Sequence, residues 1–252
     1  MERQSGWTIP IDSCPVCVEP INRVIAGGIR ADSLFGAANM ATETLTLLST
    51  DDGVVSSPAW MPAGLESEIT VANQPIRCSA ETFFQSNLCL LPQMVAHGID
   101  GLAGSRVADL YCGVGLFGSF LAESFEEVIS VDRDPRAVAL AGKNVKGGKH
   151  RFLVQPVERW VLYGQREVTA VVVDPARPGL AEPVREYLRS CNAGEVVYVS
   201  CNPTTLARDL AFLCRAGGDG EGFAIRDIRL FDFFPQTHHM EIVVRLTREL
   251  QV

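Results

Sequence analysis

The sequence lacks an apolar run long enough to cross a membrane. A spanning helix needs about 18–20 consecutive apolar residues, and no stretch of the 252 residues approaches that length. The first ten residues also lack the basic start and apolar core of a signal peptide. We therefore expect a cytoplasmic protein without membrane contact.

Cysteine and positive charge are also scarce. Eight cysteines in 252 residues are too few for a disulfide-stapled secreted scaffold, so we expect reduced thiols. The content of 21% charged and 47% hydrophobic residues excludes a mainly disordered chain. Lysine and arginine number 22 against 30 acidic residues, a formal net charge of -8. This balance argues against binding nucleic acid by bulk charge.

The pattern along the chain changes near residue 80. Residues 1–80 contain many prolines and few apolar runs, and we interpret them as a remnant of a central or N-terminal α+β region. One helix and two strands are predicted there, over residues 18–29, 44–48 and 69–71. Residues 81–252 are predicted to form the catalytic domain.

In residues 81–252, short apolar runs alternate with helical patterns. Strands are predicted over 106–111, 128–132, 152–154, 168–173 and 196–200, and helices over 116–124, 135–145, 181–189 and 204–215. Such alternation indicates a parallel sheet covered on both faces. The last two runs, 223–231 and 241–246, have no room for a crossover helix, so we expect them to be antiparallel. The predicted fold is α/β, a doubly wound, mostly parallel seven-stranded sheet of the Rossmann-like class I methyltransferase type.

A glycine-rich turn follows the first strand of this alternation. Gly113, Gly115 and Gly118 allow a tight turn and a close approach of the backbone to a ligand. Asp132, at the end of the next strand, is placed to accept hydrogen bonds from ribose hydroxyls. These features suit S-adenosylmethionine, and they also match a dinucleotide fingerprint for NAD. Asp109, directly before the glycines, and the terminal hairpin favour the methyltransferase.

Two later strands end in residues that are suited to chemistry. Asp174 follows the fourth strand and Cys201 follows the fifth. Ligands of open parallel sheets bind beyond the carboxyl ends of the strands, so both should reach the same site as the glycine turn. Arg177 stands where an amino-methylating enzyme is expected to carry an aromatic residue. Ser200 precedes Cys201, whereas a cytosine-C5 enzyme typically has a Pro-Cys pair.

Over roughly residues 80–246 the chain resembles the RNA uracil-C5 methyltransferases. The resemblance rests on blocks at residues 83–87 (FFQSN), 109–113 (DLYCG), 174–177 (DPAR), 198–209 (YVSCNPTTLARD) and 232–241 (DFFPQTHHME). It implies methyl transfer from S-adenosylmethionine to C5 of a uridine in tRNA or rRNA. By this resemblance Cys201 is the thiolate that adds to C6, and Glu241 is the base that removes the C5 proton. The resemblance also implies that Gln85, Tyr111, Asp132 and Asp174 line the cofactor and target-base site.

Two features raise the question of a metal. Cys14 and Cys17 have the spacing of half a zinc or iron–sulfur site, but no second pair follows. Some relatives bind a four-iron cluster through three cysteines upstream of a Cys-Pro block, and no cysteine precedes Cys14. Glu241 lies near His238 and His239, without a third distant ligand. We expect no metal site, and an iron–sulfur cluster is not expected in this chain.

The relatives usually carry an N-terminal oligonucleotide-binding barrel, and we expect this chain to begin inside their central domain. The first hypothesis is an active RNA 5-methyluridine synthase. The second is a cofactor-binding module that is inactive alone or needs a partner to bind RNA. An NAD-dependent dehydrogenase is third, since it would leave residues 174–179 and 200–203 without a role. The acidic excess does not exclude an RNA substrate, because 4 basic and 11 acidic residues fall in the first 100, against 18 and 19 in the remainder.

Overall fold

The computed structural model describes residues 11–15, 17–27, 46–57, 65–215 and 222–248. The chain divides into two compact units. One comprises residues 1–69 and 78–81, and the other comprises residues 70–77 and 82–252. Within the described ranges, no helix is long and apolar enough to span a bilayer.

The first unit contains a short helix and a β-hairpin. Helix α1 (Glu19–Ala26) has a proline in its first turn, where the missing N–H is tolerated. Strand β1 (Thr46–Thr50) pairs antiparallel with β2 (Gly53–Ser57). The predicted helix over 18–29 is therefore longer than α1, and its last two residues lie outside the described part. The predicted strand over 44–48 overlaps β1, which begins at Thr46 and ends at Thr50. Residues 44 and 45 lie outside the described part.

A second hairpin was only half predicted. Strand β3 (Glu66–Val71) extends the strand predicted at 69–71, and β4 (Gln74–Ser79) pairs with it in a two-stranded sheet. Ala72 and Asn73 connect the strands with φ values of 47° and 68°. Positive φ at both central residues is the geometry of a type I′ turn, for which Asn-Gly is the usual sequence signal. Ala72 gives no such signal, which explains why β4 was missed.

The second unit is built on a seven-stranded sheet. Its strands are β5 (Gly104–Leu110), β6 (Phe125–Asp132), β7 (Lys149–Val154), β8 (Ala170–Val173), β9 (Glu195–Ser200), β10 (Ala224–Phe231) and β11 (Glu241–Thr247). They lie in the order β10-β11-β9-β8-β5-β6-β7. Strands β5 to β9 are parallel, whereas β11 is antiparallel to both β9 and β10. The predicted mostly parallel seven-stranded sheet with a terminal antiparallel hairpin is confirmed.

Six helices accompany the sheet in the described part of this unit. They are α2 (Leu91–Ile99), α3 (Leu116–Leu121), α4 (Pro135–Asn144), α5 (Val157–Tyr163), α6 (Glu182–Ser190) and α7 (Pro203–Leu213). Four agree with the predicted helices to within a few residues, whereas α2 and α5 were not predicted. Both unpredicted helices begin without a capping side chain, at Leu90 and Pro156. By contrast, Asp134 and Asn202 cap α4 and α7 through their side chains.

The strand order places a topological switch point between β5 and β8. From β5 the chain winds through β6 and β7 to one side, then returns to β8 and β9 on the other. One face of the sheet is buried under α5, α6 and α7, where the rings of Trp160 and Tyr187 meet edge to face with centroids 5.4 Å apart. A crevice is left beyond the carboxyl ends of the strands at the switch point, where open α/β sheets bind ligands.

Candidate active site

A cavity of about 1000 Å³ occupies this crevice. Seven of the eight predicted site residues line it, namely Gln85, Tyr111, Gly113, Asp132, Asp174, Cys201 and Glu241. The fold thus gathers residues from six separate segments of the second unit around one volume, which is large enough for a ligand of drug size.

The glycine turn and the end of β6 are fastened to each other. The Gly113 N–H donates to Asp132 Oδ2 at 3.0 Å, and the Asp134 N–H donates to Asp132 Oδ1 at 2.9 Å. Gly113 has a φ of 52°, and an added Cβ there would meet nothing within 4 Å. The backbone at Gly113 therefore borders open space, and the Asp132 carboxylate is held in a fixed orientation.

Gly115 is the predicted site residue that does not line the cavity. Its φ is 80°, and an added Cβ would lie 2.9 Å from the Ala141 Cβ of α4. This glycine is required by the turn into α3 and by close packing on α4. Asp109 also serves this turn, because its Oδ2 accepts a hydrogen bond from the Gly118 N–H at 3.0 Å. Burial raises the pKa of Asp109 to about 7, although the Gly118 hydrogen bond opposes the rise.

Tyr111 is held in an uncommon backbone conformation at the cavity wall. Its φ is 61°, which is rare for a bulky residue. The Tyr111 hydroxyl donates to Glu158 Oε1 at 2.9 Å. Burial, reinforced by the negative charge of Glu158, raises the pKa of Tyr111. Glu158 also lines the cavity and was missed from the sequence. Val157, Trp160 and Val161 have helical i, i+3, i+4 spacing, a signal that could have placed Glu158 in the first turn of α5.

The sheet ladder brings Cys201 and Glu241 together. Ser200, the last residue of β9, pairs with Ile242 of β11. Because these strands are antiparallel, the next rung would place Cys201 opposite Glu241. Residues opposite each other in such ladders have Cα atoms about 4.5–5.5 Å apart. Two residues separated by 40 positions in the chain are thus neighbours at the cavity.

Glu241 is a buried carboxyl group with an unpartnered oxygen. Its side chain is 3% exposed, and Oε2 has no hydrogen-bond partner among the described residues. Burial raises its pKa to about 7, and the positive charge of Arg177 moderates the rise. A carboxyl group with this pKa exchanges protons near neutral pH.

Cys201 is half-buried beside two carboxyl groups. Burial raises the pKa of its thiol, the negative charges of Glu241 and Asp174 raise it further, and Arg177 opposes them. The pKa of Asp174 is itself raised well above its ordinary value by burial and by Glu241. Ionising these groups together is therefore unfavourable, and the cluster retains protons near neutrality.

The loop after β8 is fixed to the start of α7. The Arg177 carbonyl oxygen accepts hydrogen bonds from Asn202 Nδ2 at 3.2 Å and from Thr205 Oγ1 at 3.0 Å. The Asn202 Oδ1 accepts from the Thr204 N–H at 3.0 Å and so caps α7. The residue next to Cys201 therefore links the DPAR loop to a helix end, which limits movement of the thiol.

Asp209 of α7 forms hydrogen bonds with β9, with the loop after β8 and with α6. It is fully buried, and its carboxylate accepts from the Tyr198 hydroxyl at 2.7 Å, the Leu180 N–H at 2.8 Å and Arg185 at 3.0 Å. Arg208 donates to Asp209 and to the carbonyl oxygens of residues 178 and 180. The hydrogen bonds of Arg208 therefore hold the loop after β8 against α7.

The candidate metal residues have other contacts. The rings of His238 and His239 lie 4.0 Å apart, and His239 Nε2 lies 3.4 Å from Arg177 Nη2. In the first unit, Asn22 donates to the carbonyl oxygens of Cys14 and Cys17. In the stretches of chain that the structure describes, no three His, Cys, Asp or Glu side chains are grouped to hold a metal ion.

Comparisons with known proteins agree with this architecture. Residues 161–249 match the sequence profile of the tRNA (Uracil-5-)-methyltransferase family, and residues 68–176 match that of the methyltransferase small domain. The tRNA (uracil(54)-C(5))-methyltransferase of Saccharomyces cerevisiae is 34% identical over 68% of this chain and 29% of its own length. The 23S rRNA (uracil(1939)-C(5))-methyltransferase RlmD of Shewanella frigidimarina is 32% identical over 82% of this chain and 44% of its own.

A solved structure extends the similarity to three dimensions. The tRNA (uracil-54, C5)-methyltransferase of Pyrococcus abyssi, in complex with S-adenosyl-L-homocysteine, has a TM-score of 0.60 and 28% identity. The match covers 72% of this chain and 44% of that one. The chain thus spans less than half the length of each of these three relatives. The resemblance drawn from the sequence blocks is confirmed, and the chain belongs to the RNA uracil-C5 methyltransferase family, with a class I S-adenosylmethionine-dependent methyltransferase fold.

Proposed function

We propose that this chain methylates C5 of a uridine in tRNA or rRNA, using S-adenosylmethionine as the methyl donor. The observation that carries the proposal is the pairing of a half-buried cysteine with a buried, unpartnered carboxyl group at one end of the β9–β11 ladder. A nucleophile and a base are what methylation of a uracil carbon requires, and both line the cavity that the glycine turn borders.

The donor set of the cavity suits S-adenosylmethionine. Gln85 is 5% exposed, and its Oε1 has no hydrogen-bond partner within the described ranges. An orphaned acceptor of this kind is costly unless a ligand donates to it, and the cofactor's ammonium group is a suitable donor. The Asp132 oxygens accept from the Gly113 and Asp134 N–H groups, and their remaining lone pairs could accept from ribose hydroxyls in the open space beside Gly113. When bound, the cofactor supplies a methyl group on a positively charged sulfur.

Cys201 acts as the nucleophile because uracil C5 alone is too weak to attack a methyl sulfonium. The thiol loses its proton to solvent, and the thiolate adds to C6 of the ring. The C5–C6 electron pair moves toward the O4 carbonyl, and C5 of the resulting enolate would take the methyl group as the methyl–sulfur bond of the sulfonium breaks. The electron pair of that bond would stay on the sulfur, which leaves as a neutral thioether. Sulfur of Cys201 is then bonded to carbon and carries no charge.

Glu241 completes the reaction by removing the C5 proton. The electron pair of that C–H bond restores the C5–C6 double bond, and the thiolate of Cys201 leaves. The pKa of about 7 places the carboxyl group near the value at which a base works well at neutral pH. Because the adduct removes the thiolate charge, Glu241 becomes easier to ionise at the stage where its base function is needed.

A fluorinated substrate tests the mechanism. The protein is incubated with S-adenosylmethionine and tRNA or rRNA fragments that contain 5-fluorouridine, and a denaturation-resistant adduct is sought. Fluorine at C5 prevents the step assigned to Glu241, so the wild type should stay attached through Cys201. Cys201→Ala should give no adduct, whereas Cys214→Ala, at another half-buried thiol, should leave the yield unchanged.

Three outcomes would contradict parts of the proposal. An equal adduct yield from Cys201→Ala would remove the nucleophile assignment. Absence of an adduct from the wild type with both RNA classes would contradict the activity. If S-adenosylmethionine still bound in that case, the alternative of a cofactor-binding module that is inactive alone or needs a partner would be favoured.

A further inference from the structure

Phe83 lies at the cavity wall with 75% of its surface exposed. The next two residues are buried, since Phe84 is 9% and Gln85 is 5% exposed. The segment is therefore anchored while one ring projects into solvent. An exposed aromatic face beside a ligand cavity can stack on a planar group of the ligand.

A second aromatic group borders the same cavity on the β10–β11 connection. Phe234 and His239 both line it, and their rings meet edge to face with centroids 6.0 Å apart. The segments that carry the two aromatic groups are joined, because Asn87 Nδ2 donates to the Asp232 carbonyl oxygen at 3.4 Å. Phe83, Phe234 and His239 together form a surface at the cavity wall that we call the aromatic rim.

We propose that the aromatic rim binds an unpaired RNA nucleobase next to the target uridine, with Phe83 as the principal stacking surface. This inference rests on the proposed function. Sequence-selective RNA recognition uses single-stranded bases that stack on aromatic side chains. A stacked neighbour would hold the target uridine outside the RNA helix and over the cavity.

The charges of the site do not form a basic patch for RNA phosphates. Acidic and basic side chains both line the cavity, among them Asp132, Glu158 and Arg177. Residues 101–252 contain 18 basic and 19 acidic residues, which gives this region no excess of positive charge. Uncharged contacts should therefore contribute to RNA affinity near the cavity, and the exposed face of Phe83 can supply one.

The first experiment compares Phe83→Ala, Phe83→Trp and Tyr163→Ala. Tyr163 is a matched control because it is 87% exposed and is not among the residues that line the cavity. The KM values for RNA and for S-adenosylmethionine are measured separately. Loss of a stacking contact of about 1–3 kcal/mol should raise the RNA KM roughly 5- to 150-fold in Phe83→Ala. The cofactor KM should stay within about twofold, since the contact is made by RNA alone, and Phe83→Trp should retain the wild-type RNA KM.

A second experiment identifies the RNA group in contact. RNA with a single abasic nucleotide on either side of the target uridine is compared with intact RNA, using fluorescence anisotropy to measure binding. At one of the two positions the abasic RNA should bind the wild type as weakly as intact RNA binds Phe83→Ala, with no further loss when both changes are combined. Changing the salt concentration should leave the effect of Phe83→Ala constant, because no phosphate contact is removed.

The inference is overturned if Phe83→Ala and Tyr163→Ala bind RNA equally well, or if Phe83→Ala raises the cofactor KM instead. Full additivity of the abasic and Phe83→Ala effects at both positions would also refute it. Anisotropy reports binding without turnover, so failure of the methyl transfer itself is a separate result that contradicts the proposed function.

Discussion

Replacing Glu241 by glutamine should stabilise the folded protein above neutral pH. Burial raises the pKa of Glu241 from 4.5 to about 7. At about 1.4 kcal/mol per pKa unit, ionised Glu241 therefore lowers the free energy of unfolding by about 3 kcal/mol. The sign follows from proton binding. Below pH 4.5 Glu241 is protonated in both the folded and the unfolded state, so it does not lower the free energy of unfolding. Between pH 4.5 and 7 Glu241 ionises in the unfolded state but not in the folded state, so the free energy of unfolding falls. Above about pH 7 it is ionised in both states, and the loss of free energy stays constant.

Urea unfolding of the wild type and E241Q at pH 5 and pH 8 measures this cost. E241Q should be more stable by about 3 kcal/mol at pH 8 and by less than about 1 kcal/mol at pH 5, because linkage operates only where Glu241 ionises. E186Q, at an exposed position, serves as the control and should show no such difference. The reasoning is refuted if the stability gain of E241Q is the same at both pH values. A confirmed gain accompanied by loss of turnover would identify Glu241 as a group retained for function at the expense of stability.

Three further predictions concern the base, the glycine turn and the buried network. Decay of the methylated adduct on ordinary RNA, followed in single-turnover experiments, should slow about tenfold per pH unit below about pH 6, because Glu241 must be ionised; a flat profile would exclude it as the base. Gly115→Ala should lower the free energy of unfolding in urea by about 1–3 kcal/mol, because position 115 has a positive φ and an added Cβ would contact α4. The control Gly142→Ala should raise it by about 0.5–1 kcal/mol, since a Cβ there meets nothing within 4 Å. Tyr198→Phe should lower the free energy of unfolding by about 1.5–3 kcal/mol, because it removes a hydrogen bond to buried Asp209. An unchanged urea midpoint would show that the hydrogen bonds of Asp209 do not stabilise the fold in this way.

The sequence was most informative where local pattern and tertiary structure coincide. The apolar runs of β5, β6, β8 and β9 predicted buried parallel strands, and the short connection before Glu241 predicted the antiparallel hairpin. Cys201 and Glu241 were predicted from long ordered blocks, and the ladder explains why residues so far apart in the chain line one cavity.

What the sequence could not predict depends on contacts between distant segments. Tyr111 and Glu158 are 47 positions apart, and their hydrogen bond depends on a short helix without a capping side chain. Gly115 matched the cofactor pattern but does not line the cavity, because a glycine can serve packing as well as binding. The sequence also does not show that Phe83 is exposed while Phe84 and Gln85 are buried, because two adjacent phenylalanines look alike in a sequence.

The pairing of Ser200 with Ile242 has a consequence for how such enzymes diversify. The spacing between the proposed nucleophile and the proposed base is set by one rung of a β-ladder and does not depend on the length of chain between them. The connection between α7 and β10 can therefore change in length without moving either group, provided that β9 and β11 keep their register. The relative placement of Cys201 and Glu241 thus depends on strand register and not on the number of residues in that connection.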